Sequence, residues 1–181
     1  MNKKILSVGL LSAMILASAN ANAFYVGAGV GTSKTKIDGE SVDKDNTLTV
    51  ATGFKIPLPL IPIRAEVEYL QFNSEEDGLG KAKTYGMAAN AYVGLPLIPL
   101  IKPYVGMGLG YMQQKLKGTG FSDKSDWTVV PQYMIGLDLD LPLIPVAGGV
   151  EYRYIDTKFD NDFGEYDSKI HTFLVKGRFY F

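Results

Sequence analysis

Apolar residues recur at every second position in eight stretches of the chain. Phe24, Val26, Ala28 and Val30 alternate with Tyr25 and three glycines. Leu48, Val50, Phe54 and Ile56 alternate with Thr47, Thr49, Gly53 and Lys55. Ile63, Ala65, Val67 and Tyr69 alternate with Arg64, Glu66 and Glu68. The same pattern runs through Tyr85–Val93, Val105–Tyr111, Tyr133–Leu139, Val146–Tyr154 and Phe173–Phe181. Period two puts successive side chains on opposite faces of a strand. The pattern predicts eight strands, each about the 9–11 residues a tilted strand needs to cross a bilayer.

Two kinds of connection alternate between them. Asp38–Asn46, Asn73–Lys83, Lys117–Asp126 and Asp160–Lys169 are polar and glycine-containing. The other three carry one apolar pentamer, LPLIP, at Leu58–Pro62, Leu95–Pro99 and Leu141–Pro145. Proline fixes φ and donates no hydrogen bond, so a proline on each side of two apolar residues stops one strand and starts the next. Strict interleaving puts all LPLIP turns at one end of an up-and-down array and all polar loops at the other. The turns are expected to pack on the rim or in the lipid interface at the periplasmic side. A docking surface for a periplasmic partner is the second reading.

The two faces differ in charge. One carries Lys55, Arg64, Arg153, Lys176 and Arg178 with Glu66, Glu68, Asp138, Asp140 and Glu151 at strand centres. Five basic and five acidic side chains suit a lumen where charges pair, because an isolated buried charge is very costly. The other face is a belt of Phe, Tyr, Val, Leu and Met with no charge in the strand cores. A soluble barrel would instead have to expose those aromatics to water. A closed barrel also pairs every backbone group and leaves no sheet edge. The predicted fold is all-β: an eight-stranded antiparallel up-and-down transmembrane β-barrel over residues 24–181.

The N-terminus reads as a signal peptide, residues 1–23. MNKK is basic, Ile5–Ala17 is apolar, and Ala21-Asn22-Ala23 is an A-x-A cleavage pattern. Losing Lys3 and Lys4 takes the formal net charge from −1 to −3, with no basic cluster to argue for nucleic acid. The chain has no cysteine, so closure of the last strand onto the first must replace disulfide staples.

Candidate chemistry is sparse. The single histidine, His171, faces outward by parity with Phe173, and Ser168 has the opposite parity, so no serine–histidine pair forms. Glu66/Glu68 and Asp138/Asp140 have basic neighbours and read as ion pairs. Glu75-Glu76-Asp77 and Asp160-Asn161-Asp162 are acidic enough to bind a divalent cation, but solvated loop tips are the expected reading. One histidine and no cysteine leave no transition-metal site, and no cofactor is expected.

FYVGAGVG after the signal, KPYVGMGLGY, GGVEYRY and a terminal GRFYF together resemble the small eight-stranded outer-membrane proteins. These include the transmembrane domain of outer-membrane protein A, outer-membrane protein X and the opacity-type surface antigens. The resemblance spans residues 24–181. It implies location in the cell outer membrane, with lipid and lipopolysaccharide as surroundings. It also implies delivery by periplasmic chaperones and the outer-membrane assembly machinery, which would read Phe173, Val175, Phe179 and Phe181. Gly177 departs from the usual spacing of that signal. The function expected is a non-enzymatic surface-exposed envelope protein with four extracellular loops. A narrow porin-like channel and an adhesin for an extracellular ligand are the alternatives.

Overall fold

The structure, a computed structural model, describes residues 24–37, 40–56, 58, 61–76, 80–95, 100–116, 127–140, 144–161 and 164–181. The expected signal segment lies outside these residues. The described chain forms eight strands: β1 (Phe24–Ile37), β2 (Glu40–Ile56), β3 (Ile63–Glu76), β4 (Gly80–Gly94), β5 (Ile101–Leu116), β6 (Trp127–Asp140), β7 (Val146–Asn161) and β8 (Gly164–Tyr180). Each pairs antiparallel with its chain neighbours, and β8 pairs with β1, so the sheet is a closed barrel. Closure runs from Tyr25 opposite Tyr180 to Ile37 opposite Ser168. The Phe181 amide adds a last hydrogen bond to the Phe24 carbonyl, 3.0 Å.

The stagger follows from the pairings. A walk along partners passes Tyr25, Gly53, Glu66, Asn90, Gly108, Gln132, Ile155 and Ile170. It returns to β1 at Thr35, ten residues from its start. With a rise of about 3.3 Å per residue and strands about 4.8 Å apart, this offset tilts the strands by about 40°. Each residue then climbs about 2.5 Å along the axis, so about ten residues cross an apolar band about 25 Å tall. The strands have 14–17 residues and project beyond that band.

The projection changes the expected loops. Asp38–Asn46 shrinks to a connection between Ile37 and Glu40, because the ladder continues through Asn46, past an irregularity at Lys34/Thr35, to Glu40. Asn73–Lys83 and Asp160–Lys169 shorten in the same way, while Lys117–Asp126 keeps its predicted bounds. In these projecting stretches the sequence is mostly polar at both parities. The period-two signal therefore disappears although the pairing does not.

The outer face is apolar. Val30, Val50, Met87, Met107, Leu109, Ile135 and Val175 are all half-exposed or more. Phe24, Phe54, Phe179 and Phe181 gather near the turn end, with Phe24–Phe54 and Phe179–Phe181 in ring contact. Tyr69, Tyr111 and Tyr133 are exposed on the same face farther from the turns. Leu58, Ile61, Leu95, Leu100 and Ile144 are also exposed. These turn residues extend the apolar surface past the phenylalanine row and do not fold back onto the rim.

Inward glycines make room for inward aromatics. Tyr25 pairs with Gly53, Tyr92 with Gly106, and Tyr104 with Gly136. A Cβ on Gly53 or Gly106 would lie 2.5 Å from the facing tyrosine, and one on Gly136 would collide with Tyr104. Each ring lies over the bare backbone opposite it, which lets large side chains fill an eight-stranded interior.

Candidate functional site: the charged lumen

All ten charges expected to share one face project inward. Their heights differ from expectation. Lys55, Asp140 and Arg178 lie at or near strand ends beside the turns and not at strand centres. The ion pairs form in two tiers.

The tier at the turn end centres on two aspartates. Asp138 accepts a two-pronged bond from Arg178 (2.5 and 2.8 Å) and one from Arg64 Nη1 (2.6 Å). Asp140 Oδ2 accepts from Lys102 Nζ at 2.5 Å and Lys55 Nζ at 3.4 Å. The Arg64 guanidinium lies over the rings of Tyr92 and Tyr104, 4.2 and 4.9 Å from their centroids. Lys102 was missed in the sequence. Its parity with Tyr104 marks it as inward, but Leu100, Ile101 and Pro103 surround it rather than other charges.

The upper tier lies near mid-height. Arg153 Nη2 reaches Glu68 at 2.6 Å and Glu151 at 2.7 Å. Lys176 Nζ lies 3.2, 3.1 and 3.5 Å from Glu66, Glu68 and Glu151. Neutral donors complete the carboxylates' shells. Tyr25 and Tyr92 donate to Glu66 at 2.8 Å each, Tyr104 donates to Glu151 at 3.0 Å, and Asn90 donates to Glu68 at 3.0 Å. Gln132 donates to Asn90. These bonds cross the lumen, joining β3 to β7 and β8. They satisfy charges that burial alone would penalise by several kcal/mol each.

Above this tier the interior turns apolar, which the sequence reading did not anticipate. Leu70, Phe72, Ala88, Met112, Val130 and Ile155 form one buried cluster, with Ile170 against it. Across from them Ser33 bonds Thr47 and Thr172. Arg153, Gln132, Glu68, Leu70, Ile155 and Val130 expose no surface to water. Leu70 and Phe72 share parity with Glu66 and Glu68, so their direction was readable and their clustering was not.

Outside the lumen, His171 is half-buried on the outer face. Its Nδ1 hydrogen-bonds the Tyr152 hydroxyl at 2.7 Å, and the ring packs near Tyr152 and Tyr154. Phe173, Val175, Phe179 and Phe181 are all exposed outward. The side chains of Glu75, Glu76, Asp77, Asp160, Asn161 and Asp162 lie outside the described set. Among the described residues no three His, Cys, Asp or Glu side chains converge as a metal site.

This architecture is shared with solved proteins. Neisserial surface protein A superposes with a TM-score of 0.73 at 20% identity, over 87% of this chain and 97% of that one. Ail, the attachment invasion locus protein of Yersinia pestis, solved with the heparin analogue sucrose octasulfate, gives 0.64 at 16% identity, over 90% and 100%. The N-terminal β-barrel domain of Pseudomonas aeruginosa OprF gives 0.52 at 11%, over 89% and 98%. At these identities the likeness is one of fold. No curated protein sequence matches the chain. Residues 5–179 match the family described as outer membrane protein beta-barrel domain. With its closed barrel, apolar outer face and charged interior, the chain belongs to that family of outer-membrane proteins.

Proposed function

We propose that this chain is a non-enzymatic, non-conducting barrel that anchors its polar loops at the cell surface. The observation that carries the reading is the filled interior. Two tiers of wall-to-wall ion pairs and an apolar cluster stand across the path an ion would take. Moving a solute through requires breaking bonds in which each carboxylate has several donors, at a cost far above thermal energy. The test is conductance in planar bilayers with refolded protein. A flat baseline is expected, and reproducible single-channel steps would reverse the assignment. The non-enzymatic part is supported by His171, whose Nδ1 is engaged by the Tyr152 hydroxyl on the outer face. Purified protein should leave lipid A unaltered.

The reading includes export by residues 1–23 and insertion through an assembly machinery that reads the terminal strand. Mass spectrometry of membrane-extracted protein should give an N-terminus at Phe24.

Ligand binding through the loops is the second reading, favoured by the likeness to Ail. The loop chemistry here argues against a sulfated polyanion. Asp38–Asn46, Asn73–Lys83, Lys117–Asp126 and Asp160–Lys169 together hold thirteen acidic and six basic residues. They would repel such a ligand and favour a cationic one. Binding assays with loop deletions separate the readings.

A further inference from the structure

We propose that the turn-end mouth of the barrel binds a small tetrahedral oxyanion of the phosphate class. Four cations meet there, Lys55, Arg64, Lys102 and Arg178, and they share two carboxylates, Asp138 and Asp140. Each carboxylate already serves two cations, so the mouth holds two positive charges in excess. The tier above does not cancel them. Its three carboxylates face Arg153 and Lys176 at 2.6–3.5 Å, which leaves one negative charge for two positive ones. The two tiers together thus keep one positive charge, concentrated at the mouth, and a phosphate group, at about −1.5 to −2 at neutral pH, offsets it.

A second observation is independent of the count. Arg64 is more than nine-tenths buried, yet among the described residues its Nε and Nη2 find no hydrogen-bond partner, and neither does Nε of Arg178. Tyr92 and Tyr104 cover the face of the Arg64 guanidinium. A ring face does not satisfy N–H groups that point outward in the guanidinium plane. Such an unused planar edge matches two oxygens of an oxyanion, as the fork of Arg178 matches Asp138. Buried donors without acceptors are rare in folded proteins, and water or a bound ion is the usual partner of such groups.

The third observation is space. A cavity of about 30 Å³ opens at this end, lined by Lys55, Arg64, Lys102, Tyr104, Asp140 and Tyr180 among others. That is room for about two waters by the same measure, and a small oxyanion replaces them with its own oxygens. The two lysines stand half-buried at its edge and can swing from Asp140 to a shared anion. Either a soluble phosphate or a phosphomonoester lipid headgroup carries this chemistry.

The test uses the full barrel refolded in zwitterionic micelles, with inorganic phosphate as probe at constant ionic strength set by chloride. NMR of the Arg64 Nε–H reads the site. A saturable shift is expected with phosphate and not with chloride. Lys102→Gln should weaken binding about fivefold or more, and Asp140→Asn, which frees both lysines, should tighten it by a similar factor. Opposite effects from two substitutions at one mouth exclude general loss of structure, and an unchanged urea midpoint for Lys102→Gln checks its fold. A shift that grows linearly without saturation, or equal affinity in all three proteins, overturns the proposal. Short-chain phosphatidic acid and glycerol 3-phosphate then identify the source. Tighter competition by the acylated compound assigns a lipid headgroup, and equal competition assigns soluble phosphate.

Discussion

Replacing Arg153 by methionine tests the interior most severely. The guanidinium is wholly buried and lies 2.6 Å from Glu68 and 2.7 Å from Glu151. Methionine keeps much of the volume, so the loss is electrostatic. Removing one partner of a buried pair typically costs about 3–5 kcal/mol, because the remaining charge has left water without compensation. Lys176 stays 3.1 Å from Glu68 and 3.5 Å from Glu151, which places the expectation near the lower end, about 3 kcal/mol. Three carboxylates would then share one ammonium. Adding Glu68→Gln removes one of them and should restore about 1–2 kcal/mol, a sign of coupling that independent sites do not show. Urea titrations in lipid vesicles, read by the sole tryptophan, Trp127, give the numbers. A loss below about 1 kcal/mol, the worth of an exposed ion pair, would refute the buried network.

Glycine substitutions separate the two faces: Gly106→Ala drives a methyl into the Tyr92 ring and should cost about 1–3 kcal/mol. Gly177→Ala meets nothing within 4 Å and should stay within about 0.5 kcal/mol of wild type by the same titration. Val150→Arg, next to Leu137 and Val175 on the outer face, should lose about 2–4 kcal/mol in vesicles. Glu151→Gln should lose less, because Arg153 keeps Glu68; the reverse order would swap the faces. Epitopes inserted at Asp77 or Asp162 should be detected on intact cells, and one within Leu95–Pro99 only after the outer membrane is permeabilised.

Direction was legible in the sequence and height was not. Parity alone placed Arg64, Glu66 and Glu68 opposite Val67, and the described structure puts them on those faces. Which charges meet depends on the ten-residue stagger, which no local pattern encodes. Arg64 finds Asp138 from 74 positions away and Lys176 finds Glu66 from 110. The same limit hid the clustering of Leu70 and Phe72 of β3 with Val130 of β6 and Ile155 of β7. Tyr25 and Tyr92 were legible only as members of alternating runs, and Tyr104 only by its parity with Lys102. Their role as donors to Glu66 and Glu151 appears only once their strands are set side by side. Lys102 lacked charged neighbours in the chain, although Asp140 and Lys55 are its neighbours in space.

The central claim is that one face of every strand meets lipid while the other fills a sealed interior. The absence of native cysteine permits a direct measurement: single nitroxide labels along β7 from Val146 to Arg153, with collision rates for oxygen, which partitions into lipid, and for a water-soluble nickel complex. The account predicts oxygen maxima at Val146, Gly148, Val150 and Tyr152, and low collision with both reagents at Ala147, Gly149, Glu151 and Arg153. Nickel maxima at Glu151 and Arg153, or an oxygen profile without period two, would contradict it.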